Sequence, residues 1–422
     1  MITLDLIPFD TLFFRDSRPL AAGSSFGHGA NWPLPCTIHG ALRTALLSFA
    51  GELPSEPKNG CQRKGKVMGE IGTDAFNWLN IKGPFPVDLR NEEVYFPRPL
   101  DLSLDSDLKT LKSCRPLKIS NNTYKSNLPS PICYPVVSST PPTKKEAPRW
   151  IPSSLFERYL KEESFIYDVE KVFWDSEYRI GIAIDPESQT VVESQFFAAE
   201  HLRLREDFAL RVLTNSPPDH KKQNTTEQSL TPENLDQLTI TVGGENRFCK
   251  VKKASKQLDF SNKDHIQSTR LKWVLLTPAI FRQGFLPGWI NANSTAQWNV
   301  CLRLVEKESR REFRRRRKID PNWKYVPEND PAEQIIARLV AAFIGKPVAI
   351  NGWEIFSGSG GGPKPTLLAV PAGSVFYFET ESENETKKLA EALHFRCRSD
   401  FYGEKGLGLG LCGTWSYSEL LL

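Results

Sequence analysis

Residues 401–422 read "FYGEKGLGLGLCGTWSYSELLL". Within them Gly408, Gly410 and Gly413 fit the G-x-G-x-x-G spacing with which some folds hold a dinucleotide pyrophosphate. That use requires the glycines to follow a strand and open a helix, with an acidic residue about 20 positions further on. Only nine residues follow Gly413, and Trp415, Tyr417 and a leucine run are among them. No crossover helix fits, so the dinucleotide reading fails. What remains is strict alternation from Gly406 to Leu411. An extended chain would send Leu407, Leu409 and Leu411 into a core and show bare backbone on the other side. Such a surface suits close approach by a ligand such as a sugar-phosphate chain. Tight turns or close helix–sheet packing account for the same glycines, and the motif alone leaves both open.

Upstream, "NETKKLAEALHF" (384–395) reads as a helix, and "PVAINGWEIF", "LLAVP" and "SVFYFET" read as strands. Asp330, Pro331 and Glu333 form a capping-box pattern before Ile335, Ile336, Leu339, Val340 and Phe343, which predicts a helix there. At the N-terminus Ile2, Leu4 and Leu6 alternate as in a strand. "TIHGALRTALLSFAG" (37–51) predicts a helix with Thr37 as N-cap, Gly51 at its end, and Ile38, Ala41, Leu42, Ala45, Leu46 and Phe49 as its apolar stripe. Residues 52–175 are rich in proline and read mainly as wrapped loops. A hairpin follows, "YRIGIAID" with "FFAAEHLRLREDFALRVLT"; then a short helix capped by Thr231 and a strand ending in the Gly243–Gly244 turn.

"LIPFDTLFFRDSRPL" and "LLTPAIFRQGFLPG" share an apolar strand, a proline and a Phe-Arg pair. This loose repeat divides the chain into residues 1–256 and 257–422. A chain of 422 residues is too long for one ordinary core, which agrees with two domains. Net charge is +4, a weak sign of an acidic partner. No apolar run reaches the ~18 residues of a membrane span, and the N-terminus lacks a basic leader, so a cytoplasmic location is expected. The eight cysteines form no C-x-x-C pair and no Cys/His cluster with zinc spacing. Neither metal nor cofactor is expected. "SGSGGGPKPT" (357–366) lacks the G-K-[ST] ending of a phosphate loop.

"LPCTIHGALRTAL" resembles the first helix of the RAMP superfamily of CRISPR proteins, and "GEKGLGLGLCGTW" resembles their C-terminal glycine-rich loop. "DTLFFRDSRPL", "YFPRPLD", "RIGIAID", "VGGENR", "GWEIF" and "PKPTLLAVPAGSVFYFE", in that order, are similar to the third-subunit family of type III-B Cmr effector complexes. The likeness spans both ends and most of the middle, but little of residues 100–165 and 307–330. It implies an α+β protein of two ferredoxin-like (RRM-like) RAMP domains with long Pro-rich insertions. It further implies a noncatalytic subunit that holds the 5′ handle of the CRISPR RNA, docks on the large polymerase-like subunit, and joins other RAMP subunits in antiviral defence. No RRM aromatic signature is present, so base stacking in the RRM manner is not implied.

On that reading the expected RNA contacts are Arg15, Arg18, His39, Arg43, Arg203, Arg205, Gly243, Gly244, Arg282, Lys364, Gly406, Gly408 and Gly410. Arg15 and Arg18, with Asp16 between them, would position a phosphate; His39 and Arg43 would meet one near a helix N-terminus. Arg203 and Arg205 would line a backbone-tracking groove. Salt-bridged turns and solvated strand faces explain the same residues. The basic run Arg310–Lys318 reads as an exposed segment. Two alternatives stand beside this function. One is an RNA-processing nuclease using His28 and His39 as an acid–base pair, and the other a purely structural bridge.

Overall fold

The structure is a computed structural model that describes residues 1–16, 26–27, 29–51, 76, 78–118, 128–141, 143–167, 169–216, 230–260, 263, 265–291, 300, 335–354 and 362–419. It is strand-rich with few helices, a mixed α+β architecture. Ile2–Pro8 forms β1, with Leu4 and Leu6 fully buried. The helix α1 runs Pro35–Phe49 and packs Ile38, Leu42, Leu46 and Leu47 onto the sheet. Each such side chain contributes roughly 1.5–3 kcal/mol through burial. The helix begins earlier than expected, at Pro35 with Leu34 in the cap position, because proline is pre-set for a first turn. Gly51 ends it with φ of 69°. Phe49 is not in the stripe; it is exposed, and Leu47 takes its place.

The remaining strands of this half are β2 (Ile81–Asp88), β3 (Phe208–Thr214) and β4 (Phe248–Lys253). They lie in the spatial order β4-β1-β3-β2, and every neighbouring pair is antiparallel. Three further short strands, Thr239–Thr241, Glu93–Pro97 and Trp150–Pro152, extend this sheet at its margins.

In the second half β5 (Arg270–Leu275), β6 (Ala337–Phe343), β7 (Val375–Thr380) and β8 (Leu409–Thr414) repeat the pattern, in the order β8-β5-β7-β6. The helix α2 (Glu383–Leu393) joins β7 to β8, with the Ser382 hydroxyl accepting from the Glu385 amide as N-cap. The helix expected after Asp330 is a strand over the part described, β6. Ala337 and Leu339 pack into one core while Val340 and Ala341 pack into another, with a register shift between them. A strand buried on both faces loses its alternation and imitates helical spacing.

Among the described residues, the core under α1 and the core under α2 each draw their buried members from a single half. A third is shared, with Phe85, Val87 and Phe96 from the first half against Val274, Tyr377, Leu409 and Leu411 from the second. Polar groups are buried in the same region. Arg211 donates to both carboxylate oxygens of Asp5 at 2.8 Å. The Asp101 carboxylate accepts from the hydroxyls of Tyr159 and Tyr377, each at 2.7 Å. Lys272 Nζ donates to the Tyr159 carbonyl at 2.9 Å and lies over that ring. Burial pushes Lys272 down to about 8 while Asp101 opposes it, and burial raises Asp101 while Lys272 opposes that.

Candidate nucleic-acid interface

The glycine-rich segment is a loop before it is a strand. Gly403–Lys405 makes one 3-10 turn, and β8 starts only at Leu409. Gly406 and Gly408 have φ of 90° and 73°, the left-handed region where a side chain is strained. A Cβ on Gly406 would lie 2.9 Å from Pro35 of α1; one on Gly408 would lie 2.3 Å from the Ser399 amide nitrogen. Gly410 faces the Trp273 indole, which a Cβ would meet at 2.2 Å.

All three glycines are buried. The expectation that Gly406, Gly408 and Gly410 offer a bare face to RNA is therefore corrected: the protein's own backbone and rings occupy that side. Leu407, Leu409 and Leu411 are fully buried, as their alternation required.

This loop supports a charged and aromatic rim. The Asp400 carboxylate accepts from the amides of Arg282 and Gly288, both at 2.9 Å, and the Asp400 amide donates to the Ile280 carbonyl. These bonds fasten residues 280–288 to the loop. They place the Arg282 guanidinium 5.4 Å from the ring centre of exposed Phe401. One residue on, Lys405 Nζ lies 4.7 Å from the Tyr402 ring. The two cation–aromatic pairs are neighbours in sequence; Phe401 is exposed, while Tyr402 is half-buried against Ile280, Ile350 and Leu407.

His39 is placed differently from the expectation. It is 7% exposed and its Nε2 donates to the Leu79 carbonyl at 3.1 Å. Burial holds it down at about 4, with Lys405 and Arg43 adding repulsion against the pull of that hydrogen bond. Neutral and turned inward, it carries no charge to a phosphate at pH 7, and its expected RNA contact is corrected. Arg43 is half-buried on the same helix.

A second group gathers Arg15, Arg203, Gly243 and Gly244. Arg15 is exposed and forms a β-bridge with Gly29. Gly243 has φ of 79° and lies against the Phe13 carbonyl, which accepts from the Gly244 amide at 2.9 Å. That contact accounts for both glycines. Arg203 is held by Glu177 at 2.6 Å and Asp10 at 2.9 Å, and Arg205 by Asp175 at 2.8 Å. Their positive charge is matched within the chain, so the expected bare cationic groove is instead a balanced ionic ladder. Lys364 is exposed, its amide donating to the Gly352 carbonyl. Arg18, His28 and the Arg310–Lys318 run lie outside the described residues.

The reading of residues missed Phe401, Tyr402 and Lys405, although "FYGEK" holds two aromatics and a lysine within five positions. It also missed Asp10, Glu177 and Asp175, whose pairing with arginines depends on strand register.

Residues 4–415 match the family model described as CRISPR-associated protein (Cas_Cmr3). The chain belongs to that family. The resemblance seen in its motifs is thereby borne out. Among solved structures, the chain is similar to one in the cryo-EM structure of the Type III-B Cmr-beta bound to cognate target RNA and AMPPnP, at 14% identity and TM-score 0.43, covering 89% of this chain and 86% of that one. A chain of the same assembly bound to cognate target RNA is 17% identical with TM-score 0.42, again over 89% and 86%. A chain of the Csm3-Csm4 subcomplex in the type III-A CRISPR-Cas interference complex is 10% identical, TM-score 0.33, over 89% and 92%. No curated protein matches the chain in sequence. Among the described residues no helix is long and apolar enough to cross a membrane.

Proposed function

We propose that this Cas_Cmr3 protein is a noncatalytic RNA-holding subunit of a type III-B CRISPR effector complex, working in the cytoplasm. In this reading two ferredoxin-like halves meet near residue 256, which fits the matching strand orders of the two sheets. The protein grips the 5′ handle of the CRISPR RNA and docks on the large polymerase-like subunit beside other RAMP subunits.

The observation that carries the RNA reading is the rim of Arg282 over Phe401 and Lys405 over Tyr402. Cations interleaved with aromatic faces hold single-stranded nucleic acid, through phosphate charge and base stacking together. In this chain the rim replaces the buried glycines as the candidate contact. The nuclease alternative loses support, since His39 is committed to the Leu79 carbonyl.

The test is binding of handle-bearing RNA to the protein with its polymerase-like partner over a salt series. About five phosphate contacts give a log–log slope near −3.5, and Arg282→Ala or Lys405→Ala should each bring it about 0.7 closer to zero. A slope near zero, unmoved by either change, refutes the reading.

A further inference from the structure

Away from the glycine loop, a cleft of about 440 Å³ is lined by Glu146, Arg149, Trp150, Lys171, Phe173 and Trp174, among others. Its size falls in the range of small-ligand sites. Its floor is aromatic and held from behind. Trp32, Trp150 and Trp174 form a triangle with ring centres 5.4, 5.3 and 6.3 Å apart. Trp32 Nε1 donates to the Pro84 carbonyl at 2.9 Å, Trp150 is paired across the sheet with Pro97, and Trp174 opens the long hairpin. Trp150 and Trp174 remain half-exposed, while Phe173 beneath them is buried.

On the rim, Arg149 and Glu146 are exposed, Glu170 accepts from the Arg149 amide, and Lys171 is bound to Asp88 at 3.2 Å. Lys171 offsets Asp88, and Arg149 stands against Glu146 and Glu170, so charge gives no net attraction and stacking on indole supplies most of it for an occupant. A flat ring joined to one negative group answers this arrangement: the ring on the tryptophans, the charge against Arg149. We propose that the cleft holds one unpaired base of single-stranded RNA, face-on to one of the mutually perpendicular indoles of Trp150 and Trp174 and edge-on to the other, with its phosphate at Arg149. This rests on the RNA-holding function and adds a second contact point remote in sequence from the glycine loop.

The experiment uses the full chain and a ten-nucleotide single-stranded RNA carrying 4-thiouridine at each position in turn, irradiated and mapped by mass spectrometry. At least one position should cross-link within residues 146–150 or 170–174. Trp174→Ala should weaken that cross-link roughly tenfold. Arg149→Ala, at an exposed position that leaves the fold undisturbed, should weaken it severalfold. RNA that binds normally yet never cross-links to these segments overturns the cleft assignment alone. RNA that does not bind at all overturns the RNA-holding function with it. Cross-links there that neither variant reduces also overturn the assignment.

Discussion

At the scale of single residues, glycine and histidine show how one chemical type serves architecture. Gly408 combines a left-handed φ with contact against the Ser399 backbone. Gly408→Ala adds strain of about 1–2 kcal/mol from the conformation alone, and the contact enlarges it. Denaturant unfolding should show a loss above about 2 kcal/mol, with RNA binding per folded molecule unchanged; a stable variant that binds RNA poorly would restore direct contact. His39 and His394 are both held at about 4, chiefly by burial. Each therefore binds fewer protons folded than unfolded between pH 6.5 and 4. Stability is fully present above that window and declines as pH falls through it, by up to about 3 kcal/mol per ring. Unfolding measured at pH 7 and pH 5 should show the decline, and His39→Gln should reduce it. An unchanged pH dependence in that variant would contradict the burial account.

At the scale of elements, the hairpin Trp174–Ile184 with Val191–Leu204 stands out by what it leaves uncovered. Tyr178, Ile180, Ile182 and Ile184 share one face and are 61, 71, 49 and 60% exposed. An apolar row of this kind on a strand is a candidate interaction surface, and under the proposed function it is where the polymerase-like subunit would dock. Replacing Ile180 and Ile182 together by Asp should leave folding intact, since both already face water, and should abolish co-purification with that subunit. Retained co-purification would move the docking surface elsewhere. The hairpin itself was legible in its first arm, but the second arm was read through to Thr214, whereas the strand ends at Leu204 and Phe208–Thr214 is β3 of the central sheet. The central strand β2 was not legible, because "IKGPFPVD" carries two prolines. They are tolerated because Pro84 and Pro86 lie outside the stretch paired to Glu93–Pro97, where no second neighbour needs their amides.

At the scale of the whole molecule, the two halves are tied by the shared core and by the buried set of Asp101, Tyr159, Lys272 and Tyr377. Its members come from far-apart positions, so no local pattern marks them. Removing one side of such a set leaves the other charge buried without compensation, at about 3–5 kcal/mol. Asp101→Ala should lower stability by that amount in chemical denaturation, while a variant as stable as the parent would show that the two halves hold without it.

The sequence by itself determined the alternating strands, the amphipathic helices α1 and α2, the inward leucines of the glycine segment and the family, because those signals are local or lie in the order of motifs. Only the tertiary structure decided that the glycines are filled from within, that Arg203 and Arg205 are matched by carboxylates, and that cations stand over Phe401 and Tyr402. A residue's type limits what it can contact. Which neighbour arrives, whether the chain's own ring, a carboxylate or open water, is settled by packing between segments that the sequence keeps hundreds of positions apart.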